Sequence, residues 1–200
     1  MARKLPKIIS QEEFEKLFVE IQKREKKTKS NGMKLRLRKY RIAILLGFEA
    51  GLRISEIVGH KGVSRRQNKK TGEIKVTPIN IPALTPDKIT SASIRIDSGK
   101  GGKDRIVPRP KRLNENAVKL LPLKIKRRGL QKFTTKIGQQ ILHKEISFHT
   151  FRHGFGSHLA SKGRPLHEIQ MLMGHSRLDT TGIYLHANPE QAIKSAQDVF

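Results

Sequence analysis

Apolar residues recur at helical spacing towards both ends of the chain, and only its middle carries β-like patterns. Near the N-terminus, Phe14, Leu17, Phe18 and Ile21 follow one another at i, i+3, i+4 and i+7, which places them on one face of a helix. Three middle stretches are β-like: Val76–Ile81, Ser93–Asp97 and Arg105–Val107. This order predicts an α+β fold that is mostly α, with a small antiparallel three-stranded sheet on one edge of a helical domain.

Local start and stop signals place the helices. Ser10 and Glu13 form a capping box before the first helix. Asn31-Gly32 predicts a turn after it. Gly51 is suited to a left-handed residue at the end of the second helix, which covers about Leu35 to Ala50. Further helices are predicted from Ser55, over Asn114–Leu121, over Leu130–Leu142, from Ser147 to Gly163, from Pro165 to Gly174, after a Ser176/Asp179 capping box, and over Pro189–Asp198.

Two glycine-containing segments are predicted to lie outside helices and strands. Residues 59–75 (GHKGVSRRQNKKTGEIK) are basic and poorly periodic, which indicates a loop insertion. Residues 98–103 (SGKGGK) stand between the last two β-like stretches and contain three glycines, which is typical of a hairpin turn.

The charge balance points to a polyanionic partner. The 200 residues, enough for one ordinary domain, include 42 Lys and Arg but only 17 Asp and Glu, a formal net charge of +25. Such an excess favours nucleic acid as the partner.

There is no Cys, which excludes disulfide scaffolds, thiol catalysis and Cys-ligated zinc. No stretch approaches the roughly 18 apolar residues of a membrane span, and the N-terminus lacks an apolar signal region. We expect a cytoplasmic, nucleoid-associated protein without membrane contact.

Two pairs of residues could act on a phosphate. His149 and Arg152 lie three positions apart, on one face of the helix after Ser147. Arginine offers a planar fork to a phosphate, and histidine can move a proton. Arg53 lies between apolar residues and needs a partner, which Glu56 can supply as a structural ion pair or as a residue that orients it. Either pair could also be purely structural.

Further candidates lie in the turn and near the C-terminus. Lys100 and Lys103 stand in the glycine-rich turn, which is either an ordinary exposed turn or a mobile carrier of lysine. The chain has only two tyrosines, Tyr40 and Tyr184, and Tyr184 follows His175 by nine residues. The acidic residues are scattered, without a D-x-D or H-E-x-x-H grouping, so neither a metal nor a cofactor is expected.

In this order, the segments resemble the catalytic domain of the tyrosine recombinases, the phage-integrase family. The matching residues are Arg53 in AGLRISE, Lys100 in GKGGKDRIVP, His149 and Arg152 in HTFRH, His175 in LMGHS, and Tyr184 in TTGIY. The resemblance covers essentially residues 1–200 and implies a catalytic domain with a tail helix over 189–200. It also implies that the family's usual N-terminal core-binding domain is absent from this chain. Arg53 and Lys100 are 47 positions apart, more than is usual, so Lys103 is kept as the alternative to Lys100.

The resemblance implies a metal-independent cleavage and rejoining of DNA strands. Tyr184 would be the nucleophile and form a 3′-phosphotyrosyl bond, while Arg53 and Arg152 would hold the phosphate. Lys100 would be the general acid, His149 the base and His175 a donor to the phosphate, with Glu56 orienting Arg53 or His149. The partner would be double-stranded DNA, bound by a tetramer whose protomers are monomers or weak dimers when free. Basic residues expected to contact DNA are Arg65, Arg66, Lys69, Lys70, Lys103, Arg105 and Arg177.

Three other functions remain open from the sequence. Residues 165–185 can be interpreted as a helix-turn-helix of a DNA-binding regulator. A recombinase-derived DNA-binding module would keep the fold without catalysis. A type IB topoisomerase would use the same tyrosine chemistry to relax supercoils.

Overall fold

The computed structural model describes residues 7–68, 71–97 and 104–175 together with Thr181. The helices in this part are α1 (Gln11–Lys27), α2 (Asn31–Glu49), α3 (Ile54–Val58), α4 (Glu115–Val118), α5 (Arg127–Leu142), α6 (Phe148–Ser161) and α7 (Leu166–Met173). The strands are β1 (His60–Gln67), β2 (Ile74–Ile81), β3 (Ser93–Ile96) and β4 (Arg105–Pro108). The mostly helical α+β class is confirmed. The Ser176/Asp179 capping box and the predicted helices after it lie outside the described residues. No described helix is long and apolar enough to cross a membrane.

The strands form two separate antiparallel pairs in the described part of the chain, not one three-stranded sheet. β1 pairs with β2, and β3 pairs with β4. The predicted strand Val76–Ile81 lies within β2, whose partner is β1. The prediction of a loop over residues 59–75 is therefore wrong for most of its length. Only β1 (HKGVSRRQ) lacks the apolar–polar alternation that marks a half-buried strand, since both faces of this hairpin are largely exposed and neither needs to be apolar.

The predicted turn at Asn31-Gly32 is also wrong, because these residues begin α2. Ser30 caps that helix, and its side chain accepts a hydrogen bond from the Met33 backbone N–H at 3.4 Å. A side-chain oxygen at the N-cap satisfies a backbone donor that the helix cannot, and this starts the helix earlier than the turn signal indicates. The Ser10 capping box is confirmed, with both of its hydrogen bonds present.

The core forms where α1, α2 and α6 pack together. The whole predicted stripe of α1 is buried. Phe14 stacks on Phe48 of α2 with ring centroids 4.0 Å apart, and it meets Phe151 of α6 edge to face at 6.4 Å. Such offset and edge contacts add to the apolar area that the rings remove from water. This packing fixes α6 against α2, and it thereby sets where Arg152 points.

Gly51 makes the turn between α2 and α3 in the left-handed conformation, with φ +63°. A Cβ at this position would lie 2.5 Å from Cδ1 of Phe155. The glycine therefore meets two demands at once, a positive φ and a close approach of an aromatic ring.

We expect Gly51→Ala to lower the free energy of unfolding by about 2 to 4 kcal/mol, since it adds left-handed strain and overpacking. Gly32→Ala is the matched control. It lies in the first turn of α2, and its Cβ would meet only the Ser30 hydroxyl at 4.0 Å. This control should stabilise the protein by up to about 1 kcal/mol. Urea unfolding of both variants is the measurement, and equal effects would contradict the argument.

Candidate active site

Three arginines from distant parts of the chain meet at the C-terminal end of α7. Arg105 donates from Nε to the Leu172 carbonyl at 2.9 Å. Arg152 donates from Nη2 to the Met173 carbonyl. Arg53 donates from Nη2 to the carbonyls of Met173 and Gly174, at 3.5 and 3.3 Å. The last carbonyls of a helix lack partners within the helix and carry its partial negative charge, so they attract cations.

Arg53 and Arg152 are neighbours in space although 99 positions separate them in the sequence. Both Nη2 atoms bond the same Met173 oxygen, so they lie within roughly 7 Å of each other. Arg152 also donates to the carbonyl of Gly51, two residues before Arg53. Its residue is 1% exposed, whereas the Arg53 side chain is 16% exposed. The two arginines that the resemblance assigns to one phosphate therefore lie side by side, and their role at a phosphate stays a prediction.

Glu56 is buried and joins Arg53 to Arg105. Its Oε1 accepts from Nη1 of Arg53 at 2.8 Å, and its Oε2 accepts from the Arg53 backbone N–H at 2.8 Å. Arg105 donates to the same carboxylate from both Nη atoms, from Nη1 to Oε1 at 2.9 Å and from Nη2 to Oε2 at 2.7 Å. Burial alone would raise the pKa of Glu56, but the hydrogen bonds and charge of Arg105, with the charge of Arg53, lower that pKa to about 2. The carboxylate is therefore ionised at neutral pH.

The predicted role of Arg105 is wrong. It is among the basic residues predicted to contact DNA, but its side chain is 4% exposed and bound to Glu56. It braces the carboxylate that holds Arg53. A signal for the burial of Arg105, though not for its partner, was present in the sequence, because alternation along a strand places Arg105 on the same side as Val107. Val107 is buried, whereas Ile106 between them is 61% exposed.

His175 follows α7 directly and faces the two arginines. Gly174 ends α7 in the left-handed conformation with φ +57°, and a Cβ there would lie 2.9 Å from Cδ of Arg105. Burial, together with the charges of Arg152 and Arg53, lowers the pKa of His175 to about 3. Its imidazole is therefore neutral at pH 7. Nδ1 of His175 lies 3.0 Å from Oγ1 of Thr181, a buried residue three positions before Tyr184.

His149 lies in the first turn of α6, exposed and one turn before Arg152. Its ring meets that of His153 edge to face, with centroids 4.5 Å apart. Burial, with the charges of His149 and Arg152, lowers the pKa of His153 to about 4. His153 was not among the residues predicted from the sequence, yet its ring contacts the predicted base and its charge helps to lower the pKa of His175.

The remaining predicted residues divide into two groups. Arg65 lies exposed on β1, and Arg66 follows it in the same strand. The others lie outside the described residues, so their predicted roles stay predictions: Lys69, Lys70, Lys100, Lys103, Arg177 and Tyr184.

Comparison with known proteins places the chain in a family. The sequence model of the phage integrase family matches residues 7–191. The chain belongs to the phage integrase family. A tyrosine recombinase of Thermosipho africanus (strain TCF52B) is 30% identical over an alignment of 167 positions, gaps included, which covers 74% of this chain and 50% of the relative. The tyrosine recombinase XerA of Thermococcus kodakarensis is 28% identical over an alignment of 213 positions, gaps included, which covers 98% of this chain and 63% of the relative.

Solved structures share the fold of this integrase-family chain. The XerH recombinase bound to its difH substrate, in a pre-cleavage complex, superimposes with a TM-score of 0.61 at 24% identity over 96% of this chain and 55% of that one. The catalytic domain of bacteriophage HP1 integrase superimposes with a TM-score of 0.54 at 18% identity. This match covers 94% of this chain and 93% of the HP1 chain. The chain thus spans about half to just under two thirds of the curated relatives quoted above, but nearly the whole of one family catalytic domain.

Proposed function

We propose that this chain cleaves and rejoins DNA strands as the catalytic part of a site-specific recombinase. The observation that carries the proposal is the convergence of Arg53 and Arg152 on one carbonyl beside His175, in a chain of the phage integrase family. Two guanidinium groups and an imidazole around one point suit a phosphate that gains negative charge in its transition state. The named relatives are tyrosine recombinases, and the XerH structure is of a site-specific recombinase bound to its difH substrate.

In the proposed reaction, the Tyr184 oxygen attacks the scissile phosphorus and the bond to the 5′-oxygen breaks. A free tyrosine has a pKa near ~10, so its proton must go to a base, for which His149 is the candidate. Lys100, or Lys103 in its place, protonates the departing 5′-oxygen. One phosphodiester replaces another, so rejoining needs no ATP.

The supporting residues have distinct tasks in this proposal. Arg53, partly exposed, meets the phosphate first. Arg152 binds it when a phosphate oxygen replaces the Met173 carbonyl as acceptor, an exchange that favours the stronger, charged acceptor. Because His175 is neutral, it can accept from Thr181 at Nδ1 and donate to the phosphate from Nε2. Tyr184 follows Thr181 by three residues in the sequence.

The proposal includes the assembly. Strand exchange joins four DNA ends, so we propose a tetramer on double-stranded DNA, formed from protomers that are monomers or weak dimers in free solution. This tetramer would act in the cytoplasm, on the DNA of the nucleoid or of a genetic element.

The test is covalent capture of DNA in EDTA. The substrate is a nicked suicide duplex, chosen from a random pool by its binding to the protein. We expect the wild type to form a protein–DNA adduct and Tyr184→Phe to form none. Tyr40→Phe, which removes the same hydroxyl from a ring packed on Phe133 with centroids 4.8 Å apart, should keep the adduct. An adduct from Tyr184→Phe, or cleavage that requires a divalent cation, would refute the proposal. Plasmid relaxation without junctions would indicate the topoisomerase activity instead.

A further inference from the structure

The β1–β2 hairpin projects into solvent with little to cover it. Residues 61–65 and 71–78 are exposed. A two-stranded hairpin with both faces in water is marginally stable at best, because it buries little apolar area. Such an element in a folded chain indicates a surface that is completed by a partner.

One face of the hairpin combines apolar, amide and basic side chains. Residues that lie opposite each other in the register share a face, and so do alternate residues along each strand. The face in question holds Lys61, Val63, Arg65 and Gln67 of β1 with Asn80, Pro78, Val76 and Ile74 of β2. Val63, Ile74 and Val76 are 57%, 57% and 55% exposed, which places three of the large exposed apolar side chains on this one face. Exposed apolar groups ringed by polar ones mark an interaction surface.

The charge of the hairpin selects the partner. Residues 60–81 contain six Lys and Arg but a single Glu. A second copy of this chain carries a net charge of +25 and would be repelled. A polyanion would be attracted, and its counterions would be released on binding.

Both ends of the hairpin are anchored beside the candidate active site. Leu84, just after β2, donates its backbone N–H to the Ile57 carbonyl of α3 at 3.3 Å. Gly59, just before β1, packs so closely that a Cβ there would lie 3.1 Å from the Ala83 nitrogen. Arg53 is the N-cap of α3. An eight-residue strand spans roughly 27 Å, so the hairpin can follow a duplex for roughly eight base pairs from the site.

We propose that the β1–β2 hairpin lies in the major groove of duplex DNA and reads base edges beside the cleavage point. This rests on the proposed function for the identity of the ligand. Two strands about 4.8 Å apart, with their side chains, fit a groove roughly 12 Å wide. Lys61 and Arg65 suit guanine O6 and N7, Gln67 and Asn80 suit adenine, and Val63 and Val76 suit the thymine methyl group.

The test measures DNA binding apart from cleavage. In the full chain carrying Tyr184→Phe, Lys61→Ala/Arg65→Ala should weaken binding to a selected 30-base-pair duplex about 10- to 100-fold at 100 mM salt. It should also lower the slope of log K against log salt by about 1 to 2. Lys23→Ala/Lys26→Ala removes the same charge from exposed positions of α1 and should change affinity less than about threefold. Equal effects of the two double variants would overturn the proposal, whether or not the wild type cleaves DNA.

A second variant separates groove insertion from simple charge attraction. Val63→Ser/Val76→Ser keeps every charge, so it should weaken binding about 3- to 10-fold with an unchanged salt slope. In the wild type, guanine N7 methylation should be blocked within about eight base pairs of the cleavage point, and this protection should be lost in Lys61→Ala/Arg65→Ala. Unchanged affinity, or a change only in self-association measured by sedimentation, would overturn the proposal.

Discussion

Glu56→Gln is expected to lower the free energy of unfolding by roughly 3 to 5 kcal/mol. The Glu56 side chain is 1% exposed and pairs with two guanidinium groups. Breaking a buried ion pair by removing one partner leaves the other charge buried without compensation, which costs about that much. The substitution keeps the size of the side chain, so lost charge rather than a cavity causes the effect. Urea unfolding at pH 7 measures it.

The same variant has a predicted pH dependence. The pKa of Glu56 is lowered in the folded state from 4.5 to about 2, so its stabilising effect is fully present above about pH 4.5. This effect is lost as the pH falls towards 2, where the folded state must also take up the proton. The difference in stability between wild type and Glu56→Gln should therefore shrink over that range. Glu20→Gln is the control, because Glu20 pairs with Arg24 at the surface of α1 and should contribute less than about 0.5 kcal/mol. Equal losses in both variants would contradict the account.

Arg53→Ala is expected to slow formation of the covalent adduct about 100- to 1,000-fold while leaving the protein folded. A fixed donor to the charge that develops in a transition state contributes about this much. The fold should survive because Glu56 keeps both of its hydrogen bonds to Arg105. Single-turnover cleavage of the nicked duplex at saturating protein measures the rate, and thermal unfolding checks the fold.

The control for Arg53 is Arg24→Ala, which removes one positive charge from α1, where Arg24 bonds Glu20 and Gln140. It should change the cleavage rate less than about threefold, because both of these hydrogen-bond partners lie outside the candidate active site. A cleavage rate for Arg53→Ala within tenfold of the wild type would remove Arg53 from the proposed chemistry.

The sequence predicted those elements of the fold that bury one face. The α1 stripe from Phe14 to Ile21 could be recognised because one side of that helix faces the core. Strand β1 could not, because both of its faces are largely exposed and its residues have no reason to alternate between apolar and polar. The start of α2 was missed for a different reason: Asn31-Gly32 has the composition of a turn, but the cap at Ser30 decides the outcome.

Those contacts of the site that join residues within one sequence motif were predictable. Those that join residues distant in the sequence were not. The pairing of Arg53 with Glu56 follows from their spacing and from an apolar setting. The bracing of Glu56 by Arg105 joins residues 49 positions apart, which no local pattern reports. The same holds for the carbonyls at the end of α7. They are backbone groups, so no residue type in the sequence marks them, yet all three arginines donate hydrogen bonds to them.

In the proposed mechanism Tyr184 becomes covalently attached to DNA, and mass analysis of the attached peptide can locate that bond. After capture on the nicked duplex, nuclease trimming and trypsin digestion should leave a nucleotide on the peptide that spans residues 178–194. Fragmentation should locate the added mass on Tyr184. A nucleotide found on Tyr40 or on any other residue, or strand cleavage with no attached peptide, would contradict the account.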